Sequence, residues 1–283
     1  MTIKAFIDQS ISRLGALYPS LEAKAMAFRL LEHYTEIPSY KYLSEPQTEV
    51  AEEVALSSAL DALATGRPLQ YVLGFTEFCG HRFKVGEGCL IPRPETEELV
   101  SRIIDDLYAG DDDASTDDDG PFSILDLCTG SGCIAWSLAA EFPEAMVYGC
   151  DLSDAALRFA CRQRIKVGGA KPIFFTADVL AAPPAGLPKF DVIASNPPYI
   201  CESERAAMRP NVLDFEPAEA LFVPDDDPLK FYRAIARWAE SLLRPDGHLY
   251  LEINERFGPD VATLFPGARV LQDISGRDRF VIR

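Results

Sequence analysis

The strongest constraint on the fold is the regular alternation of short apolar runs and helical patterns from Phe122 to the C-terminus. It predicts strands near residues 124–127, 146–150, 173–176, 190–195, 248–253, 269–272 and 279–282, and helices near residues 134–142, 155–167, 229–243 and 258–265. Such alternation is typical of a parallel sheet covered by helices on both faces. Ligands bind beyond the carboxyl ends of the strands in these sheets, so we expect the functional residues directly after strands.

Residues 1–70 follow a different pattern, in which apolar residues recur every three or four positions. The pattern predicts a small all-helical domain whose third helix starts near Thr48, turns Val50, Val54 and Leu63 inward, and ends before Pro68. Residues 71–93 resemble hairpins, because strand-like runs that begin at residue 69 are separated by glycines. We therefore predict a helical domain (1–70), a β-hairpin linker (71–93) and an α/β domain (94–283) that begins with a helix near residues 95–108.

Charge and cysteine content narrow the class of protein. The net charge of −17 argues against a protein that grips nucleic acid through its phosphates, although it is compatible with a local basic groove. Six aspartates at positions 111–113 and 117–119 predict a solvated loop, with a partner-binding segment as the alternative. The seven cysteines form no zinc-like cluster, residues 1–10 lack the apolar core typical of a signal sequence, and the sequence contains no run of 18 apolar residues. We expect a cytoplasmic protein that has no metal site, no membrane contact and no direct nucleic-acid partner.

A glycine-rich turn follows the first strand of the α/β region, in the stretch Asp126-Leu-Cys-Thr-Gly-Ser-Gly132. Such a turn lets backbone approach a ligand at the start of a helix, but the spacing differs from that of dinucleotide-binding enzymes. Asp151 ends the second strand, where a carboxylate can accept hydrogen bonds from ribose hydroxyls, and Asp178 ends the third, within reach of an adenine amino group. The alternatives are a turn without a ligand and, for Asp151, helix capping, a role that Ser153 and Asp154 fill equally well.

A second motif, Asn196-Pro-Pro-Tyr199, directly follows the strand at residues 190–195. The two prolines remove two backbone donors and force extended geometry on the residues that precede them. The Asn196 side-chain oxygen and the Pro197 carbonyl can thus be held rigidly as acceptors for the N–H groups of a planar nitrogen, while Tyr199 packs against the planar group. This arrangement suits transfer of a methyl group to an amide or arylamine nitrogen.

Five stretches together resemble one family. The glycine loop and Asn196–Tyr199 are similar to class I methyltransferases that act on nitrogen and use S-adenosyl-L-methionine. Residues 66–74 (Gly-Arg-Pro-Leu-Gln-Tyr-Val-Leu-Gly), residues 90–97 (Leu-Ile-Pro-Arg-Pro-Glu-Thr-Glu) and Phe215-Glu-Pro217 narrow the resemblance to the peptide chain release factor N5-glutamine methyltransferases. The resemblance implies a Rossmann-like, seven-stranded, mostly parallel sheet preceded by a helical domain and a hairpin.

The resemblance also implies a reaction and a site. The reaction would methylate the side-chain amide nitrogen of the glutamine in the Gly-Gly-Gln loop of a release factor, leaving S-adenosyl-L-homocysteine. The cofactor would be bound by Asp126, Cys128, Thr129, Gly130, Ser131, Gly132, Asp151, Leu152, Asp178, Val179 and Asn196. The catalytic and substrate-binding motif would be Asn196, Pro197, Pro198 and Tyr199, bordered by Arg93, Pro94, Glu95 and Thr96. Residues 1–70 would help dock the release factor, and we expect a monomer.

Two departures from the family pattern and three competing functions accompany this interpretation. Cys128 stands where the family usually has glycine, and because cysteine is strained at positive φ we expect a negative φ there. Asp214 stands where the family tends to have arginine. The competing functions are a glutamine methyltransferase of a ribosomal protein, an adenine-N6 nucleic-acid methyltransferase and a non-enzymatic cofactor-binding protein. Pro94-Glu-Thr-Glu97 favours release factors over the ribosomal protein.

Overall fold

The structure, a computed structural model, describes residues 1–110 and 121–283, so the predicted acidic loop at 111–119 lies outside the described residues. The chain forms two compact units. The first comprises Met1–Phe75 and Arg209–Phe215, and the second comprises Thr76–Met208 and Glu216–Arg283. This division assigns most of the hairpin to the second unit, and the domain boundaries expected near residues 70 and 93 remain predictions.

The first unit contains five helices before the hairpin: α1 (Ile3–Leu14), α2 (Ser20–Thr35), α3 (Lys41–Ser44), α4 (Glu53–Ala64) and α5 (Leu69–Leu73). They enclose an apolar core that includes Phe6, Leu30 and Leu60. In α1, the Thr2 hydroxyl caps the helix by accepting a hydrogen bond from the Ala5 N–H at 3.2 Å. This part of the chain is the small helical module that the periodicity predicts.

Two details of the secondary structure predicted for this unit are wrong. Helix α4 starts at Glu53 rather than near Thr48, because Glu52 adopts a left-handed conformation with φ 59°, and Val54 is 82% exposed instead of inward. Residues 69–73 form α5 rather than a strand. Pro68 precedes the first turn of α5, and Gly74 at φ 79° caps its end by donating its N–H to the Gln70 carbonyl, so both punctuating residues favour a short helix.

The hairpin pairs β1 (Phe75–Phe78) with β2 (His81–Lys84). The elements that follow are α6 (Pro94–Gly110), β3 (Ser123–Leu127), α7 (Cys133–Glu141), β4 (Met146–Asp151), α8 (Asp154–Ala160), β5 (Ile173–Thr176), β6 (Phe190–Ser195), β7 (Ile200–Cys201), α9 (Pro210–Leu213), β8 (Phe222–Val223), α10 (Lys230–Leu242), β9 (Leu243–Glu252), α11 (Gly258–Thr263), β10 (Arg269–Gln272) and β11 (Asp278–Ile282). Helix α8 ends seven residues before the predicted end at 167. Beyond it, the Gln163 side chain bonds to both backbone groups of Lys84 and to the Ser131 carbonyl, which holds that segment out of the helix.

Seven strands form the main sheet in the order β10-β11-β9-β6-β3-β4-β5. β6, β3, β4, β5 and β9 pair in parallel, and β11 is antiparallel to both of its neighbours. Apolar cores cover both faces, one including Leu99 and Leu138 and the other including Ile235 and Trp238. The seven-stranded, mostly parallel sheet of a class I methyltransferase is therefore confirmed. Within residues 1–110 and 121–283, no helix combines the length and apolar character needed to cross a membrane.

The direction in which the chain adds strands reverses beside β3. From β3 it proceeds through β4 to β5 at one edge, and then returns to place β6 on the other side of β3. Leu127 and Ser195, the last residues of β3 and β6, are partners in the register of this pair. The glycine loop and the Asn-Pro-Pro-Tyr motif therefore begin side by side at a topological switch point, where sheets of this type bind ligands.

Candidate active site

A cavity of about 360 Å³ lies at the carboxyl ends of the parallel strands. Its volume is within the range of about 300–1,000 Å³ that is usual for small-molecule sites. Its wall includes residues of the glycine loop, the end of β4, the segment after β5, and Asn196 and Pro198 after β6. A smaller cavity of about 30 Å³ shares Cys128, Gly130 and Asn196 with the first. The residues that follow different strands thus meet at one place.

The glycine loop turns through left-handed conformations. Gly130 has φ 55°, and a Cβ atom built there would meet open space, so the loop backbone is accessible from the cavity. At Gly132, with φ 79°, a Cβ would crowd Phe174 and Trp136 at 3.0 Å, so this glycine is required by packing as well as by conformation. The loop therefore provides exposed backbone at Gly130 and close helix packing at Gly132.

Cys128 has φ 58°, which contradicts the negative φ that we expected. The peptide groups on both sides of this residue are held in place. The Leu127 carbonyl accepts a hydrogen bond from the Ser195 hydroxyl at 2.7 Å, and the Thr129 N–H donates to the Cys150 carbonyl at 2.9 Å. Because the backbone groups of Leu127 and Thr129 are both fixed, Cys128 alone must reverse the chain direction. It therefore occupies the left-handed region although it carries a side chain.

Asp126 lies beneath the glycine loop and is fully buried. Its Oδ2 accepts hydrogen bonds from the Thr129 hydroxyl at 2.5 Å and from the Ala135 N–H at 3.1 Å. Its Oδ1 has no hydrogen-bond partner among the described residues. Burial raises the pKa of this carboxyl to about 7. A buried carboxylate oxygen without a partner is costly, and Asp126 lines neither cavity although the sequence interpretation assigned it to the cofactor.

Asp151 joins the glycine loop to the wall of the cavity. Its Oδ2 accepts a hydrogen bond from the Gly130 N–H, and its Oδ1 accepts one from the Ser153 N–H, both at 2.8 Å. Ser153 itself caps α8 through its hydroxyl, so the capping role belongs to Ser153 and not to Asp151. Burial raises the pKa of Asp151, while these N–H donors act in the opposite direction. Each carboxylate oxygen retains a lone pair that can accept a hydrogen bond from a hydroxyl group.

Further along the cavity, Asp178 and Val179 lie in the wall that follows β5. Asp178 Oδ1 accepts the Leu180 N–H at 2.8 Å, which fixes the side chain in a local turn. The sequence interpretation missed Leu180, Glu219 and Phe231, which also line this cavity. No local motif marks them, because they belong to a turn, to the long loop after β6 and to a helix.

Asn196 lies in the wall of both cavities. Its Nδ2 donates a hydrogen bond of 2.9 Å to the hydroxyl of Thr96, in the first turn of α6. Thr96 is buried and in turn donates to Oε2 of Glu252 at 2.7 Å. The Tyr199 hydroxyl donates to the other oxygen of the same carboxylate at 2.8 Å. Both ends of the Asn-Pro-Pro-Tyr motif are therefore connected to Glu252.

Glu252 is the main site residue that the sequence interpretation missed. It is the last residue of β9, is fully buried, and follows the apolar run Leu249-Tyr-Leu251. An acidic residue at the carboxyl end of an apolar parallel strand is the signal that could have identified it. Burial raises its pKa, while the Thr96 and Tyr199 hydroxyls and the charge of Arg279 favour the ionised form.

An ion pair between Arg93 and Glu216 joins the segment before α6 to the loop between β7 and β8. Glu216 has a buried carboxylate that accepts hydrogen bonds from the Arg93 guanidinium at 2.7 Å and from the Ile91 N–H at 3.0 Å. Arg93 and Thr96 border the smaller cavity. Pro94 is the first residue of α6, and neither Pro94 nor Glu95 lines either of the two cavities. Arg93 is thus engaged within the protein and shapes the border of the site.

The structure brings most of the predicted site residues to the two cavities. The larger one is lined by Cys128, Gly130, Asp151, Leu152, Asp178, Val179, Asn196 and Pro198, and the smaller one adds Arg93, Thr96, Thr129 and Ser131. Asp126, Gly132, Pro197 and Tyr199 lie behind these walls. Asp214 lies at the end of α9 in the first unit. Among the described residues, no group of three or more His, Cys, Asp or Glu side chains is arranged to hold a metal ion.

Comparison with known proteins gives a consistent result. The family model of the methyltransferase small domain matches residues 116–213. A release factor glutamine methyltransferase from Bacteroides thetaiotaomicron is 39% identical, over 99% of this chain and 98% of its own length. Proteins of the same name from Flavobacterium psychrophilum and Cereibacter sphaeroides are 35% and 40% identical, over 99% and 92% of this chain and 98% and 90% of their own lengths. With this identity over nearly its whole length, the chain belongs to the release factor glutamine methyltransferase family.

Proposed function

We propose that the protein transfers a methyl group from S-adenosyl-L-methionine to the side-chain amide nitrogen of the glutamine in the Gly-Gly-Gln loop of a peptide chain release factor. Family membership supports the class of reaction and of substrate. The single observation that carries the proposal is the anchored amide of Asn196 beside a nucleoside-sized cavity. The cytoplasmic, monomeric state expected from the sequence belongs to the same proposal.

The residues around the larger cavity fit the cofactor. Asp151 offers lone pairs to the ribose hydroxyls, and Asp178 with Val179 forms the wall that would hold the adenine. The exposed backbone of Gly130 suits the charged methionine end. When bound, S-adenosyl-L-methionine supplies a methyl group made electrophilic by its sulfonium.

The amide-binding side follows from the orientation of Asn196. Because Nδ2 is occupied by Thr96, Oδ1 is left to accept an N–H of the incoming glutamine amide. The adjacent Pro197 carbonyl offers a second acceptor, and the two prolines keep both groups rigid. Holding both N–H groups aims the nitrogen lone pair, which is otherwise delocalised into the carbonyl, toward the cofactor methyl.

In this reaction the amide nitrogen would form a bond to the methyl carbon as the carbon–sulfur bond breaks, with its electron pair going to sulfur, and the nitrogen would then release one proton to solvent. Burial and the neighbouring Glu252 raise the pKa of Tyr199 well above its usual value, so Tyr199 stays neutral and serves as a donor and packing surface rather than as a base. The contribution of this chain is positioning and fixed dipoles.

The decisive experiment incubates the purified protein with the cofactor and a purified release factor. We expect one added methyl group on the glutamine of the Gly-Gly-Gln loop, located by peptide mass spectrometry. A release factor in which that glutamine is replaced by asparagine is the control and should gain no methyl group. Parallel reactions with ribosomal proteins and with DNA test the two competing substrate classes. Methylation of either one, with an unmodified release factor, would overturn the proposal.

A further inference from the structure

We infer that Glu252 is a positioning residue for the methyl transfer, which acts through the Thr96 hydroxyl to fix the orientation of the Asn196 amide. The inference rests on the proposed function, because it concerns how the acceptor for the substrate N–H is presented. Glu252 lines neither cavity and contacts the site only through Thr96 and Tyr199. Its effect must therefore reach the reacting amide through these two side chains.

The sheet places Glu252 beside the motif. β9 runs parallel to β6, and Leu251 is the register partner of Ser195. The next residue on each strand is Glu252 and Asn196, so both side chains emerge at the same edge of the sheet. Helix α6 places Thr96 between them, 2.9 Å from Asn196 Nδ2 and 2.7 Å from Glu252 Oε2.

The direction of the hydrogen bonds follows from the charge. An ionised carboxylate only accepts, so the single hydroxyl proton of Thr96 must point to Glu252. The lone pairs of that hydroxyl then face Asn196, and only the NH₂ group of the amide can bond to them. In the reversed orientation, the Asn196 oxygen would face lone pairs at the same distance. One buried charge thus determines which atom of Asn196 is left for the substrate.

Glu252 also accepts a hydrogen bond from the hydroxyl of Tyr199, the last residue of the motif. A fully buried carboxylate is costly unless it is hydrogen-bonded and electrostatically compensated. Two hydroxyl donors and the nearby positive charge of Arg279 supply that compensation, while Glu95 opposes it. Arg279 is itself held by Asp273 at 3.2 Å and by the Ile253 carbonyl. The carboxylate is therefore part of a rigid support for both ends of the motif.

The test compares Thr96→Val with Thr96→Ser and adds Glu252→Gln. Thr96→Val keeps the shape but removes the hydroxyl, and we expect kcat to fall by about 10–100-fold, by analogy with the loss of hydrogen-bond partners that orient metal ligands. The cofactor Kd should stay within about twofold. Thr96→Ser retains the hydroxyl and should restore kcat to within about threefold of the wild type. Glu252→Gln should lower kcat to a similar extent as Thr96→Val. The glutamine NH₂ can donate a hydrogen bond to the Thr96 hydroxyl, which would then donate to the Asn196 oxygen and reverse the orientation of the Asn196 amide.

The matched control is Glu141→Gln. Glu141 accepts a hydrogen bond of 2.7 Å from the Tyr108 hydroxyl on an exposed surface, so this substitution removes the same charge from another Tyr–Glu pair. It should leave kcat and KM unchanged. The double variant Thr96→Val/Glu252→Gln should lose no more activity than either single variant, because both act through one chain of hydrogen bonds.

Several results would overturn the inference. One is an unchanged kcat in Thr96→Val, and another is an equal loss of kcat in Thr96→Ser, which would indicate a packing role. A weakened cofactor Kd in parallel with kcat would indicate collapse of the site. If Glu252→Gln does not fold, the Thr96 pair decides alone. Failure of the proposed function is distinct, since the wild-type protein would then leave the release factor unmethylated.

Discussion

The two sides of the site are built in different ways. On the cofactor side, Asp151 is fixed by the Ser153 N–H and Asp178 by the Leu180 N–H, each only two residues away, and Asp151 also accepts the Gly130 N–H from 21 residues earlier. On the amide side, Asn196 is fixed by Thr96, 100 residues earlier, and Thr96 by Glu252, 156 residues later. Local turns set most of the first side, whereas three separate elements must assemble to set the second.

This difference has a consequence for how each side responds to change. A carboxylate held by neighbouring backbone keeps its place when distant elements shift, so substitutions on the cofactor side should act mainly on affinity. The amide side depends on a chain of side-chain hydrogen bonds, where the loss of one partner alters the direction of the others. Substitutions there should act mainly on turnover.

The largest expected effect is that of Asn196→Ala. This variant removes the acceptor for the substrate amide, and turnover should fall by about 10²–10³-fold or more, as when a fixed hydrogen-bonding group at a reacting centre is deleted. The cofactor Kd, measured by calorimetry, should change by no more than a few-fold. If Asn196→Ala turned over as fast as the wild type, the proposed difference between the amide side and the cofactor side would be refuted.

Asp151→Ala should show the opposite pattern, with a large loss of cofactor affinity and a smaller effect on turnover. Losing charge-assisted hydrogen bonds to a ribose costs about 1.5–3 kcal/mol, which weakens cofactor binding by roughly 10–150-fold. Asp154→Ala is the matched control, since Asp154 lies in the first turn of the same α8 and accepts a hydrogen bond from Thr176 without lining the larger cavity. Equal cofactor affinities for the two variants, measured by calorimetry, would refute the ribose contact.

A pH dependence tests Asp126. Burial raises its pKa from 3.8 to about 7 in the folded protein, so between these values the native chain holds a proton that the unfolded chain has lost. The free energy of unfolding should therefore fall as the pH rises from about 4 to 7, with a limiting slope of about 1.4 kcal/mol per pH unit, and level off above pH 7. Asp126→Asn, which cannot titrate at this position, should lack this contribution when denaturant unfolding of the two proteins is compared across that range. An identical pH dependence in the variant would assign the titration to another group.

The smallest effect concerns Cys128 and its positive φ. Cys128→Gly loses a small apolar side chain but relieves the left-handed strain, so the free energy of unfolding should change by less than about 0.5 kcal/mol. Cys150→Gly is the matched control, because Cys150 also lines the cavity but lies within β4. There, glycine weakens the strand and removes buried surface, at about 1.5–2 kcal/mol. Similar losses in thermal unfolding would argue against strain at Cys128.

Sequence reasoning predicted the sheet, because each buried strand is an apolar run bounded by polar and glycine residues. The predicted bounds were wrong where hydrogen bonds from capping residues or from distant segments determined the local conformation. Residues 69–73 look strand-like but are capped as a helix by Pro68 and Gly74, and α8 stops early because the Gln163 side chain bonds to Lys84 and Ser131. In both cases hydrogen bonds outside the apolar pattern decided the outcome.

The sequence by itself determined the alternation of strands and helices, the glycine loop and the rigid Asn-Pro-Pro-Tyr turn, since each depends on residues within a few positions of one another. Only the tertiary structure decided the left-handed conformation of Cys128 and the connection of Asn196 to Glu252 through Thr96. The physical reason is the strand order. Placing β3 and β9 on either side of β6 brings together groups that no spacing along the chain relates.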